Sequence, residues 1–389
     1  MDRSWLGAIA AALISFGAQA DDFHTLYAFA GGLDGEAVAG IVQDAAGNLY
    51  GTTSAGGDGA CDCGTIFKLA PDGTKTLYSF TGASDGAYPL TGLAIDRAGN
   101  LYGTTSKPDR GTVFRLDASG RLTTLHAFAG AEDGDAPLGS PILDRKGKLY
   151  GTTVRGGHWG RGTVYKITPD GRERVLHAFG GTTRDGDGDG PASSLILNRD
   201  GNLYGATGYG GSSACNDRGC CATPGCGTVF KVAPDGTTTI LYRFPGGSQG
   251  ELPVGAVAMD KAGNLFGATE QGGVGAGNGG GLVYKLTPDG VKSDLHAFQI
   301  ATGAVPHVGV IVDRRGNLYG TASGGAFGQG VAYALTRRGR YTVLHDFTDD
   351  NDPSANALIL GVGGDLIGST RAYSFECPSA CGTVFRIAR

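Results

Sequence analysis

Residues 47–53 read GNLYGTT, and the string returns as GNLYGTT from Gly99, GKLYGTT from Gly147, GNLYGAT from Gly201, GNLFGAT from Gly263, GNLYGTA from Gly316 and GDLIGST from Gly364. The spacing runs from 48 residues (Gly99 to Gly147) to 62 (Gly201 to Gly263), the period of a propeller blade. A second string follows each copy: GTIFKL from Gly64, GTVFRL from Gly111, GTVYKI from Gly162, GTVFKV from Gly227, GLVYKL from Gly281, GVAYAL from Gly330 and GTVFRI from Gly382. A third, beyond a turn, reads TLYSF, TLHAF, VLHAF, ILYRF, DLHAF or VLHDF. These segments are short, rich in Val, Ile, Thr, Tyr and Phe, and bounded by Gly, Pro and Asp, so each reads as a strand. Residues 92–128 show the whole unit: GLAID (strand a), the turn RAGN, LYGTTS (b), the loop KPDR, GTVFRL (c), the turn DASG and LTTLHAF (d). Glycine in the Asp-x-x-Gly-Asn and Pro-Asp-Gly turns supplies the positive φ that closes a hairpin. No segment of helical length and period intervenes, so the fold is all-β.

The two ends decide between a ring and an open stack. Residues 25–29 (TLYAF) form a strand d with no a, b or c before it, and residues 382–387 form a strand c with no d after it. The first therefore completes the last blade, closing a seven-bladed β-propeller of four antiparallel strands per blade. An open stack would leave unpaired edges, an aggregation hazard that closure removes. The glycine within each strand b (Gly51, Gly103, Gly151, Gly205, Gly267, Gly320, Gly368) implies close backbone approach between blades. His126, His177, His296 and His345 share their place in strand d with Tyr27, Tyr78 and Tyr242, which marks a repeated packing position.

The 389 residues include 72 Gly without a three-residue period, and 40% are hydrophobic, which excludes collagen and disorder. A net charge of −5 with no basic block offers nothing to a phosphate backbone, so no nucleic-acid partner is expected. Residues 1–20 read as a signal peptide: Arg3, an apolar core WLGAIAAALISF, then Ala18-Gln19-Ala20. The expected mature chain, residues 21–389, is one propeller domain, secreted or periplasmic, monomeric and without a transmembrane segment. Its eight Cys agree with export. They lie in three loops, at Cys61/Cys63, Cys215/Cys220/Cys221/Cys226 and Cys377/Cys381, and disulfides are expected throughout. Pairing within the second group is open, and the first and third loops, neighbours in a ring, are expected to be able to bridge each other.

The combination F-x-G-x-x-D-G-x-x-P, G-N-L-Y-G-T-T, G-G and G-T-V-F-K-L, repeated along nearly all of the mature chain, resembles the GloVer ("choice-of-anchor") tandem-repeat family of exported bacterial proteins. The resemblance implies the propeller and export. Many members end in surface-sorting tails, whereas this sequence stops at its last blade string. The a–b hairpin also resembles the blades of streptogramin lyases and gluconolactonase-like propellers, which implies an enzyme alternative.

Site expectations follow from loop length. The a–b and c–d turns are uniformly tight, whereas b–c loops vary from residues 107–110 to residues 208–226. Variable loops on a rigid scaffold carry function, so a site is expected on the long-loop face around the channel mouth. There Asp185, Asp187 and Asp189 alternate with Gly, which reads either as a Ca²⁺ loop without the bidentate acid or as an elaborated polar turn. His158-Trp159, flanked by Arg155 and Arg161, is the only Trp after the leader and suits stacking on a sugar ring. His307 stands where other blades carry Leu90, Leu138 or Val254 and is expected to point into the channel, with Glu251 as partner. The expected function is a non-catalytic module for a glycan or protein ligand. A lyase or hydrolase acting near His307 is the alternative.

Overall fold

The structure is a computed structural model that describes residues 23–389 except 59–60, 74, 108–109, 182–185, 212–214, 216–224, 254, 274–278, 300–302, 349–354 and 372–380. Seven four-stranded antiparallel sheets follow one another as the blades of a propeller. Blades one to six occupy residues 36–79, 94–127, 142–178, 196–243, 258–297 and 311–346, and three strands of blade seven lie within 355–387. The fourth strand of blade seven is the N-terminal Phe23–Ala28. It pairs with Thr383–Ile387 in the register Thr25↔Phe385 and Tyr27↔Val384, so the ring closes as the end phases require.

Strand a is shorter than its string. It shrinks to two residues in blades two to six, as in Ala94–Ile95, but runs over Glu36–Gln43 in blade one. The inner segments of blades two to six contain Pro89, Pro137, Pro191, Pro253 and Pro306, where blade one has Val38. A proline has no N–H to give the ladder. Pairing resumes beyond it only as single bridges such as Ala87↔Lys107 and Asp135↔Arg155.

The turn strings have a physical cause. Asp44 accepts from the Ala46 and Asn48 backbone N–H groups, from Asn48 Nδ2 at 2.7 Å and from the Tyr50 hydroxyl at 3.1 Å. Asp96 and Asp313 repeat the arrangement. Asp-x-x-Gly-Asn-x-Tyr is thus a self-capping turn.

Between blades the core is a ring of aromatic pairs. The final Phe of each strand d packs edge-on against the strand c aromatic of the next blade: Phe29–Phe67, Phe80–Phe114, Phe128–Tyr165, Phe179–Phe230, Phe244–Tyr284, Phe298–Tyr333 and Phe347–Phe385. All seven centroid distances fall between 5.0 and 5.3 Å. The strand c rings then lie over the strand b glycines; a Cβ on Gly205 would sit 2.7 Å from Phe230 Cζ. The glycines therefore make room for a ring of their own blade, which corrects the expectation of backbone contact between blades.

The first residue of strand d reaches back to the preceding blade. Lys75 pairs with Asp34 and lies 4.8 Å from the centroid of Tyr27, Tyr341 stacks on His296 at 4.0 Å, and Phe23 stacks on His345 at 3.8 Å. Blade three places Glu173 there, and burial, with Asp133 nearby, pushes its carboxyl up to about 7. The folded state therefore holds a proton that the unfolded chain releases near pH 4.5, and stability falls as pH rises from there through 7. Glu173→Gln is expected to remove that slope. Melting temperatures of the two proteins should coincide more closely at pH 4 than at pH 8, with the variant higher at pH 8; parallel curves would refute it.

Candidate functional site

On the long-loop face, strand d and the loop after it are tied together by one repeated bond. The Tyr27 hydroxyl donates to Asp34 at 2.8 Å, Tyr78 to Asp85 at 3.4 Å, and His126 and His177 meet Asp133 and Asp187 at 3.1 and 2.8 Å. The strand d histidines at 126 and 177 are thus structural clasps, as their exchange with Tyr implies. His296 and His345 serve packing instead, through the ring stacks already described.

This clasp explains the Asp run. Burial pushes the Asp187 carboxyl up, but hydrogen bonds from His177 and the Gly180 N–H outweigh it and hold the group below the ordinary carboxylate range. Asp189 is buried, and burial raises its carboxyl despite Arg161, whose guanidinium lies 2.6 Å away. Asp135 repeats the geometry with Arg110 at 3.7 Å. The two described carboxylates thus serve two separate bases. Asp185 lies outside the described residues, and among those described no group of three His, Cys, Asp or Glu could hold a metal. Arg161, a candidate binding residue, is committed to this seam between blades three and four.

The cysteines are corrected in part. Cys61 bonds to Cys63, Cα atoms 5.2 Å apart, and Cys215 bonds to Cys226 across the longest loop. With both thiols of the first loop so engaged, the bridge it could have made to the loop of blade seven is excluded. The reason is local: Asp62 sits at φ 53° and its carboxylate accepts from Gly56 N–H, folding the loop so that its two thiols meet. Cys381 is also disulfide-bonded, whereas Cys220, Cys221 and Cys377 lie outside the described residues.

Two groups remain available to a ligand. The first is Trp159, 62% exposed. One side of its indole rests on Gly180, where a Cβ would lie 2.9 Å from Cδ1, and the His158 ring stands edge-on at 4.6 Å. His158 is itself exposed, with Nδ1 3.7 Å from Glu132, and Arg155 is exposed in the same loop. Phe327, 59% exposed, is a second aromatic on this face that the sequence reading passed over, in the blade-six b–c loop.

The second is His307, whose side chain is 56% exposed and whose Nδ1 lies 2.8 Å from Glu270 Oε1. That hydrogen bond raises the imidazole above its ordinary value although burial opposes it. Glu251 is not the partner: it is buried and accepts from Gly247 N–H at 2.8 Å. Glu270 was detectable by aligning repeats, since its place after strand b is held by Ser54, Ser106, Val154, Gly208, Ser323 or Arg371 elsewhere. The inner segments close on one another through small residues, with Gly92 N–H donating to Ser140 Oγ and Ser140 N–H to Ser194 Oγ, both at 2.9 Å. A Cβ on Gly40 would meet Gly92 Cα at 2.9 Å.

Among solved structures, the chain is similar to a gluconolactonase from Xanthomonas campestris: 16% identity, 76% of this chain and 84% of that one, TM-score 0.47. It is similar to puromycin hydrolase (17%, 86% and 50%, TM-score 0.48) and to a chain of the nidogen/laminin complex (19%, 73% and 91%, TM-score 0.42). These likenesses are remote, and no functional statement rests on them. Curated proteins give no match. The model of the Gloeobacter/Verrucomicrobia repeat matches residues 10–218, 108–278 and 216–385. Since that span covers nearly the whole chain, the chain belongs to the Gloeobacter/Verrucomicrobia repeat family, the GloVer family its motifs resemble.

Proposed function

We propose that this is an exported carbohydrate-binding propeller whose long-loop face holds the ligand, with Trp159 as the stacking platform. The observation that carries the reading is an exposed indole fixed on one side by the Gly180 backbone and open on the other. A platform ordered before binding costs little side-chain entropy when a sugar ring lands on it. Arg155 and His158 offer donors to the ring hydroxyls, the combination that gives an aromatic contact its direction.

A glycan array on residues 21–389 tests this. Saturable binding is expected, and Trp159→Ala should weaken it roughly thirtyfold, the cost of about 2 kcal/mol for removing a central aromatic anchor. A silent array, or a variant that binds like the parent, would sink the reading. Silence with capture of a defined protein would favour a protein ligand instead.

One observation favours a second reading. An exposed imidazole oriented by a carboxylate at 2.8 Å is the arrangement of a general acid–base pair. A lyase or hydrolase acting there would lose turnover in His307→Gln with its melting temperature unchanged.

A further inference from the structure

The short-turn face carries a feature that neither the long loops nor the family strings account for. In blade six the a–b turn reads Asp313-Arg314-Arg315-Gly316-Asn317, and the c–d turn reads Thr336-Arg337-Arg338-Gly339-Arg340. These two turns are neighbours in space. They line one hollow of about 400 Å³ formed by Arg315, Asn317, Thr336, Arg337 and Arg338, and Arg337 N–H donates to Asn317 Oδ1 at 3.2 Å. All five arginines are exposed, and none forms an ion pair with a described residue. The one acid in the cluster is already engaged. Asp313 accepts from Arg315 and Asn317 N–H, Asn317 Nδ2 and the Tyr319 hydroxyl, and Arg389 approaches it at 3.6 Å.

A second, independent observation concerns apolar side chains. Most exposed large hydrophobic residues lie on the long-loop face or the outer rim, but Val291, Leu360 and Val362 lie at tight turns of the opposite face. Val291 is in the c–d turn of blade five, 56% exposed; Leu360 and Val362 are at the a–b turn of blade seven, with Val362 67% exposed. Val291 thus belongs to the blade before the arginines, and Leu360 and Val362 to the blade after them, where the Val362 N–H donates to Gln43 Oε1 of blade one at 2.7 Å.

We infer that this edge of the short-turn face docks on an anionic membrane surface, with the arginines on lipid phosphates and the three aliphatic side chains in the headgroup layer. Guanidinium groups match phosphate oxygens in pairs and do not need the charge neutralised first. Each basic residue near an anionic leaflet contributes about fivefold in affinity, and shallow apolar tips add the contact that a soluble polyanion would not use. This contact is distinct from the carbohydrate reading and leaves the Trp159 face turned away from the membrane.

Sedimentation of residues 21–389 with phosphatidylglycerol vesicles at low salt tests the assignment, with phosphatidylcholine vesicles as control. Binding to the anionic vesicles alone is expected, falling at least about a hundredfold when Arg314, Arg315, Arg337 and Arg338 are all changed to Ser. Val362→Ser should weaken vesicle binding about tenfold while leaving retention on heparin unchanged. Should the fourfold variant lose its fold, Arg338→Glu alone serves, with a loss of at least fivefold. Failure of the parent to bind, or arginine variants that bind like the parent, would overturn the inference. So would heparin or duplex DNA held as tightly as the vesicles with Val362→Ser neutral, because the partner would then be a free polyanion.

Discussion

A chain lacking residues 21–29 is expected to lose its cooperative thermal transition and to aggregate. Those residues supply the outer strand of blade seven, and with it the ladder to Thr383–Ile387. Phe23 stacks on His345 at 3.8 Å and lies 5.2 Å from Phe385, while fully buried Phe29 packs on Phe67 of blade one at 5.0 Å. Losing two such rings and a strand of hydrogen bonds costs about 5 kcal/mol or more, comparable with the whole stability of many domains. The loss also bares Thr383–Ile387 as an unpaired edge, which templates association. A synthetic peptide of residues 21–30 should restore the transition by adding the strand in trans. A truncated chain melting within a few degrees of the parent would show that closure does not depend on this strand.

Phe179→Ala is the second large effect. Its ring is fully buried, 4.7 Å from the His177 ring and 5.0 Å from Phe230, so truncation opens a cavity in the seam between blades three and four. Removing a buried Phe costs about 3–5 kcal/mol, and the denaturation midpoint should fall accordingly, with Phe179→Leu recovering much of it. The same substitution at Trp159, exposed on the same loop face, should leave the midpoint nearly unchanged. A Phe179→Ala loss below about 1 kcal/mol would mean that the seam collapses to fill the gap.

Strands b, c and d were legible because each combines period-two patterning with a turn whose chemistry is local, such as the self-capping Asp44 turn. Closure was legible because Thr25 to Phe29 is a strand d without its blade. The extent of strand a was not, since Pro89 and its equivalents break a ladder whose string looks intact. The candidate site was half visible. His307 and Trp159 stood out as departures from the repeat, but the choice of Glu251 ignored that its place is a buried loop clasp. The Asp run read either as a cation loop or as a polar turn because the partners of Asp187 and Asp189 come from other segments, His177 and Arg161. A net charge of −5 also averages away the arginines of blade six, whose two turns lie about twenty residues apart in sequence and side by side in space.

Among the described residues every strand pairing but one joins neighbours along the chain; the exception ties the first described strand to the last, across more than three hundred residues. Closing so long a loop costs on the order of 5 kcal/mol in chain entropy, and the six intact blades must offset it in advance by bringing the ends together. Whatever delivers this polypeptide, the first strand must wait, an exposed and sticky ribbon, until the final segment arrives. A product broken off early has nothing to clasp it. The seam in blade seven therefore acts as a check on completeness, and incomplete chains are left as ready substrates for proteases.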